Sequence, residues 1–316
     1  MTTPIYLDCD TGIDDALAIA FLLRARAELA GIGTVSGNVS AATAARNTLH
    51  LLELAGRPEI PVAVGRHEPL AGPFGGGAAH VHGEEGLGPV AVPEPLTKPI
   101  SGTAAELLIQ LSQQHPARLH ILAIGPLTNL AAALTLDPTL PQRIAWVTVM
   151  GGAVFVPGNV TPAAEANIWN DPEAASIVFA APWNITLVPL DVTMRHVIAP
   201  REVAELRDSA DPLLSTVAEA FDTYLDFYSG VFESRSAALH DPLAAAIAID
   251  ALRITRAVTG SITVDTTNGA ERGRTSHMPL NDSEGGLPER SIVIETASAL
   301  SVIMKAVRDP DNMDKQ

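Results

Sequence analysis

Asp8-Cys9-Asp10-Thr11-Gly12-Ile13-Asp14-Asp15 sets four carboxylates within eight residues. The stretch lies between an apolar strand-like run, residues 5–7, and an apolar helix-like run, residues 14–29. Working outward, strand-like runs occupy 31–36, 61–64, 119–124, 144–149, 185–189, 261–265 and 291–295. Helix-like segments occupy 41–55, 103–114, 127–136, 212–232 and 242–251, and 72–88 reads as a Gly-rich loop. Strands alternating with helices at these spacings predict an α/β fold with a mostly parallel sheet flanked by helices. No repeat or long linker interrupts the pattern, so residues 1–308 read as a single, Rossmann-like domain and 309–316 as a frayed tail.

The polar and Gly-containing clusters fall just after predicted strands. Residues 8–15 follow the first, Gly37-Asn38 the second, 125–129 the 119–124 strand, and Met150-Gly151-Gly152 the 144–149 strand. In an open parallel sheet, ligands bind in the crevice beyond the carboxyl ends of the strands. The pattern therefore gathers these clusters on one edge.

Composition narrows the function. The 316 residues are 47% hydrophobic and 18% charged, enough to build a core. With 20 Lys plus Arg against 36 Asp plus Glu, the net charge of −16 repels a phosphate backbone, which argues against nucleic-acid binding. The single cysteine, Cys9, excludes an internal disulfide and a Cys-rich zinc site, and it suits a reducing cytoplasm. No apolar run of signal or membrane-spanning length occurs, so neither secretion nor a membrane partner is expected.

Helix capping accounts for one or two of Asp14 and Asp15 but leaves Asp8 and Asp10 unexplained. An oxygen-only cluster suits a hard cation, Ca²⁺ or Mg²⁺. The helix-loop-helix calcium loop does not fit, because its twelfth position from Asp8 is Ile19 where a bidentate Glu is required. Further ligands must come from elsewhere in the chain.

Six motifs then stand in order: the acidic stretch, Gly37-Asn38, Gly125-Pro126-Leu127-Thr128-Asn129, Met150-Gly151-Gly152, Gly158-Asn159 with Glu165-Ala166-Asn167, and His240-Asp241-Pro242. Together they resemble the inosine-uridine preferring nucleoside hydrolase family. The resemblance implies that family's α/β fold, a bound Ca²⁺, hydrolysis of the N-glycosidic bond of ribonucleosides, and a homodimer or homotetramer. It assigns calcium to the carboxylates of Asp10, Asp15 and Asp241 and to the backbone carbonyl of Ile124. It assigns the ribose 2′- and 3′-hydroxyls to Asp14 and Asn167, with Asn38 and Met150 nearby, and the 5′-hydroxyl to Asn159 and Glu165. His82 would lie near the base or sugar.

The chemistry asks for such groups. Cleaving a C–N glycosidic bond builds positive charge on the ribose, which fixed carboxylates stabilise without reorganising. Asp10 is the candidate base for the attacking water, and His240, beside Asp241, the candidate activator of the leaving base. Tyr224 and Tyr228, four residues apart, fit core packing or stacking against the base. The segments 72–88 and 235–239 are candidate covers for bound substrate. Two rival readings remain. A non-catalytic nucleoside-binding homologue would keep the same residues. A haloacid-dehalogenase-like phosphatase would use Asp8 as nucleophile, yet the three lysines, Lys98, Lys305 and Lys315, lie outside the strand-end motifs.

Overall fold

The apolar runs become strands whose order explains where the polar clusters meet. In the computed structural model, which describes residues 3–279 and 289–308, the strands are β1 (Pro4–Cys9), β2 (Glu28–Thr34), β3 (Val62–Val64), β4 (Leu119–Ala123), β5 (Ile144–Met150), β6 (Ile185–Val188), β7 (Val197–Ile198), β8 (Ala237–Ala238), β9 (Ile254–Val264), β10 (Thr275–Pro279) and β11 (Arg290–Thr296). Among the described residues, nine of them form one sheet in the order β10-β9-β11-β6-β5-β4-β1-β2-β3. Strands β3 to β11 along that order are parallel, and only β9 runs against its neighbours β11 and β10.

The chain lays β1, β2 and β3 outward in one direction, then returns to build β4, β5 and β6 in the other. The strand order reverses between β1 and β4. Connections leaving those two strands diverge, which opens a crevice at their carboxyl ends. Residues 10–15 leave β1 there and Ile124 leaves β4.

Side-chain alternation along β1 sends Ile5, Leu7 and Cys9 into one core and Tyr6 into the other. The first core holds the helices Ile13–Arg24, Pro212–Tyr228, His240–Ala248 and Ala299–Arg308. The second holds Ala104–Gln114, Thr128–Leu136 and Pro172–Ala180 on the opposite face. Asp8 shares the face of Tyr6, whereas Asp10 stands beyond the strand end.

Several boundaries differ from the sequence reading. The helix predicted over 14–29 ends at Arg24, and Arg26 takes a left-handed turn with φ of 57°. Residues 24–28 are all good helix formers, so periodicity carries no stop signal. Pairing decides instead, with Leu29 opposite Ile5 and β2 starting at Glu28 rather than at residue 31. The 242–251 helix begins two residues earlier, at His240. The segment 261–265 is the end of the longer β9. Helices Pro172–Ala180, Pro200–Arg207 and Ala299–Arg308 were not anticipated. The segment 235–239 is no mobile cover: β8 pairs with β7, and residues 236–239 are buried. The tail predicted over 309–316 lies outside the described residues.

Candidate active site

The helix Ile13–Arg24 is buried all round from Ile13 through Leu22, so its amino terminus is fixed at the crevice. Asp15, in its first turn, reaches back to the preceding loop. Its Oδ2 accepts from Gly12 N at 2.8 Å and from Asn38 Nδ2 at 3.2 Å, and its Oδ1 accepts from Asp10 N at 3.3 Å. Asp10 Oδ2 accepts from Asn38 N at 2.6 Å. That approach needs glycine at position 37, where a Cβ would lie 2.0 Å from Asp10 Oδ2. Asp14 Oδ2 accepts from the Tyr224 hydroxyl at 3.0 Å. Asp241 arrives from the far side, in the first turn of His240–Ala248.

Asp14, Asp15 and Asp241 each place a carboxylate oxygen within 4.8 Å of the others, and all three are buried. Asp10 adjoins this trio through Asp15. The Oδ1 atoms of Asp10 and Asp14 are buried without a hydrogen-bond partner among the described residues. Burial, then repulsion from Asp14, pushes the Asp15 carboxyl up to about 7. Burial followed by neighbouring carboxylates holds Asp10 and Asp241 well above the usual range. Burial also raises Asp14, against the opposing pull of His240. Buried like charges with vacant oxygen lone pairs are a donor set for a hard cation, which would reverse these shifts.

A cavity of about 460 Å³ opens above the cluster. Every residue that the family resemblance assigns to the site lines it except Asp10 and Asp15. On one wall, Asn167 Nδ2 donates to Ile124 O at 2.9 Å and Met150 O at 3.2 Å, joining the ends of β4 and β5. Glu165 accepts from Gly152 N at 2.8 Å, Asn167 N at 2.9 Å and Ile168 N at 3.2 Å. Three of its roughly four acceptor positions are thus committed to backbone, and one remains for a hydroxyl. Asn159 is exposed at the rim and accepts from Ala166 N at 3.0 Å.

On the other wall, His82 Nδ1 accepts from Ile13 N at 3.1 Å, so the neutral ring carries its proton on Nε2. Burial holds His82 down to about 3. His240 Nδ1 lies 2.7 Å from Thr193 Oγ1, and its Nε2 lies 2.6 Å from the Tyr228 hydroxyl. Burial lowers His240 to about 4, so the imidazole is neutral at pH 7.

The family profile described as inosine-uridine preferring nucleoside hydrolase matches residues 5–306. The chain belongs to that family. Uridine nucleosidase 1 of Arabidopsis thaliana is 40% identical over 243 residues, 76% of this chain and 71% of that protein. Pyrimidine-specific ribonucleoside hydrolase RihA of Enterobacter sp. (strain 638) is 41% identical over 245 residues, 77% of each. Among solved structures, a plant nucleoside hydrolase superposes with a TM-score of 0.92 at 33% identity, covering 98% of this chain and 100% of the other. A purine-preferring ribonucleoside hydrolase from Gardnerella vaginalis gives 0.90 at 30% identity, covering 96% and 98%.

The phosphatase alternative fails on geometry as well as kinship. Asp8 points to the face opposite the cavity, where Oδ2 accepts from the Tyr6 hydroxyl at 2.6 Å and both oxygens accept from Asn129 Nδ2 at 3.3 and 3.1 Å. It ties β1 to its neighbours and cannot serve as a nucleophile. In this nucleoside hydrolase the two tyrosines, read from their spacing as core packing or base stacking, are buried in the core and also line the cavity. Their hydroxyls bond Asp14 and His240, which i,i+4 periodicity cannot reveal. Thr193 was missed altogether, because a lone Thr in a short apolar turn carries no signal. Among the described residues, no helix is long and apolar enough to cross a membrane.

Proposed function

We propose that this nucleoside hydrolase cleaves the N-glycosidic bond of purine and/or pyrimidine ribonucleosides, uridine among them, releasing free base and ribose. The observation that carries the reading is the pairing of two walls. Buried carboxylates with unpartnered oxygens form the floor of the cavity, and the Tyr228–His240–Thr193 chain stands at its side. The relatives' pyrimidine and purine names support both base classes.

Asp10, Asp15 and Asp241, with the carbonyl of Ile124, would hold Ca²⁺, and Asp14 is close enough to share in the cluster. When bound, Ca²⁺ supplies positive charge that gathers the vicinal ribose hydroxyls and makes a neighbouring water more acidic. Asp14 and Asn167 hold the 2′- and 3′-hydroxyls, with Asn38 and Met150 at the ribose edge. Asn159 and the last free position of Glu165 hold the 5′-hydroxyl. Asp10 Oδ1, without a hydrogen-bond partner among the described residues, takes the proton from the attacking water. The surrounding carboxylates stabilise the oxocarbenium-like charge as the base departs.

His240 is neutral at pH 7, so it activates the leaving base as a relay rather than as a stored imidazolium. The Tyr228 hydroxyl gives its proton to the departing base and is reprotonated from solvent through His240 Nε2, which Thr193 holds in register, as Asp10 returns to solvent the proton it took from water. Residues 1–308 act as one catalytic unit, assembled as a homodimer or homotetramer in the cytoplasm.

Asp10→Asn tests the assignment. Substrate binding should persist, and kcat should fall by about 10²–10⁴, the span of general-base contributions. Ribose release from the unaltered enzyme separates hydrolysis from mere binding, since a non-catalytic homologue would saturate with nucleoside and release no sugar.

A further inference from the structure

His82 reaches the cavity at the head of a glycine-rich turn, residues 83–88, whose one large apolar side chain, Leu87, is buried in the core. Residues 83–88 wind tightly back on the histidine: Gly88 N donates to His82 O at 2.8 Å and Gly86 N to Gly83 O at 3.2 Å. Gly83, Gly86 and Gly88 all have positive φ, and a Cβ at Gly83 would fall 2.9 Å from the Gly88 backbone. Leu87 and Gly88 set this turn against the core and the Pro212–Tyr228 helix, and its register against the Thr11 loop is left to polar contacts.

Asn47, on the helix Ala41–Leu54, is fully buried behind this turn. Its Nδ2 donates to Glu85 O at 2.7 Å and to Thr11 O at 3.2 Å. One amide thus clasps the His82 turn to the loop that carries Asp10, Asp14 and Asp15. The neighbouring Arg46 adds an ion pair to the Glu85 side chain. Asn47 Oδ1 is buried without a partner among the described residues. Leaving a buried acceptor unmade is costly, so the orientation of the amide is fixed by its two donations. Flipping it would set Oδ1 against two carbonyl oxygens.

We propose that Asn47 is the positioning residue of the active site, fixing the His82 imidazole against Ile13 N–H so that Nε2–H faces the substrate. The inference rests on the nucleoside hydrolase reading. Without the clasp, the turn can drift from Thr11, Ile13 N loses its acceptor, and both His82 tautomers become accessible. Asn47 itself touches no substrate.

A double-mutant cycle on ribose release from uridine tests it, because residues acting through one another are not additive. Asn47→Ala should lower kcat/KM by about tenfold or more, yet change it less than about twofold in a His82→Ala background. Equal losses in the two backgrounds, or no loss in the first, overturn the proposal. Thermal unfolding confirms that each variant is folded at the assay temperature, and Asn47→Ser replaces Asn47→Ala if the latter is not. The His82 ring nitrogen shifts give a reading independent of turnover. A single Nε2–H tautomer in the unaltered enzyme should give way to a mixture in the Asn47 variant, and an unchanged pattern overturns the proposal. If the unaltered enzyme releases no ribose, the functional reading fails, and the nitrogen shifts still decide the positioning claim.

Discussion

Calcium uptake by this enzyme should release protons, and the amount follows from the buried cluster. Asp15 is raised from 3.8 to about 7 by burial and Asp14. At pH 6 such a carboxyl is about nine-tenths protonated, whereas an exposed aspartate of pKa about 3.9 is under about 1% protonated. A carboxylate must be ionised to ligate, so each calcium ion bound at pH 6 should expel about 0.9 proton from Asp15 alone. Asp10 and Asp241, also raised, add to that figure. At pH 9 the Asp15 share falls to about 0.01 proton, by the same arithmetic. The sign carries over to stability. The folded value of Asp15 lies above its unfolded value. Its contribution to the metal-free enzyme is therefore fully present below 3.8 and lost as pH rises through 7, by about 4 kcal/mol at most. The Tm gained on adding calcium should accordingly grow as pH rises through 7. Titration calorimetry in two buffers of different ionisation enthalpy measures the proton count. Release below about 0.1 proton per ion at pH 6 would refute the reasoning, because no raised carboxyl would then lie at the site.

Three further outcomes follow from the same geometry. His240→Ala should harm inosine and uridine by about 10²–10⁴ in kcat but spare p-nitrophenyl riboside, whose leaving group needs no proton; equal losses in steady-state assays would remove the relay. Tyr228→Phe deletes the hydroxyl 2.6 Å from His240 Nε2, so kcat should fall at least about tenfold with KM little changed, and a normal kcat excludes a proton path through this residue. Tyr6→Phe leaves the buried Asp8 carboxyl short of its 2.6 Å hydrogen bond and should cost about 1–3 kcal/mol in denaturant unfolding; an unchanged midpoint would mean that Asp8 is not held there as a structural tie.

The sheet was legible because strand-end clusters and apolar runs alternate along the chain, and the reversal between β1 and β4 brings those clusters together. The helix stop at Arg24 was not, since it depends on Leu29 pairing with Ile5 across the sheet rather than on any local residue. Asp8 and Asp10 look equivalent in sequence, two residues apart. One faces Tyr6 and the other stands past the strand end, so only β1 register separates a structural carboxylate from a site carboxylate. His82 falls within the Gly-rich loop read over 72–88, which gives no sign of burial; its burial depends on Ile13 and on the turn behind it. The hydroxyl partners of Asp14 and His240 required the helix Pro212–Tyr228 to meet the first turns of Ile13–Arg24 and His240–Ala248, which no spacing along one helix encodes.

Ribose release from uridine by enzyme stripped with a chelator, shown metal-free by elemental analysis and then titrated with calcium, is the decisive assay. Turnover should vanish on stripping and return at one ion per chain. Undiminished hydrolysis by demonstrably metal-free enzyme would contradict the account.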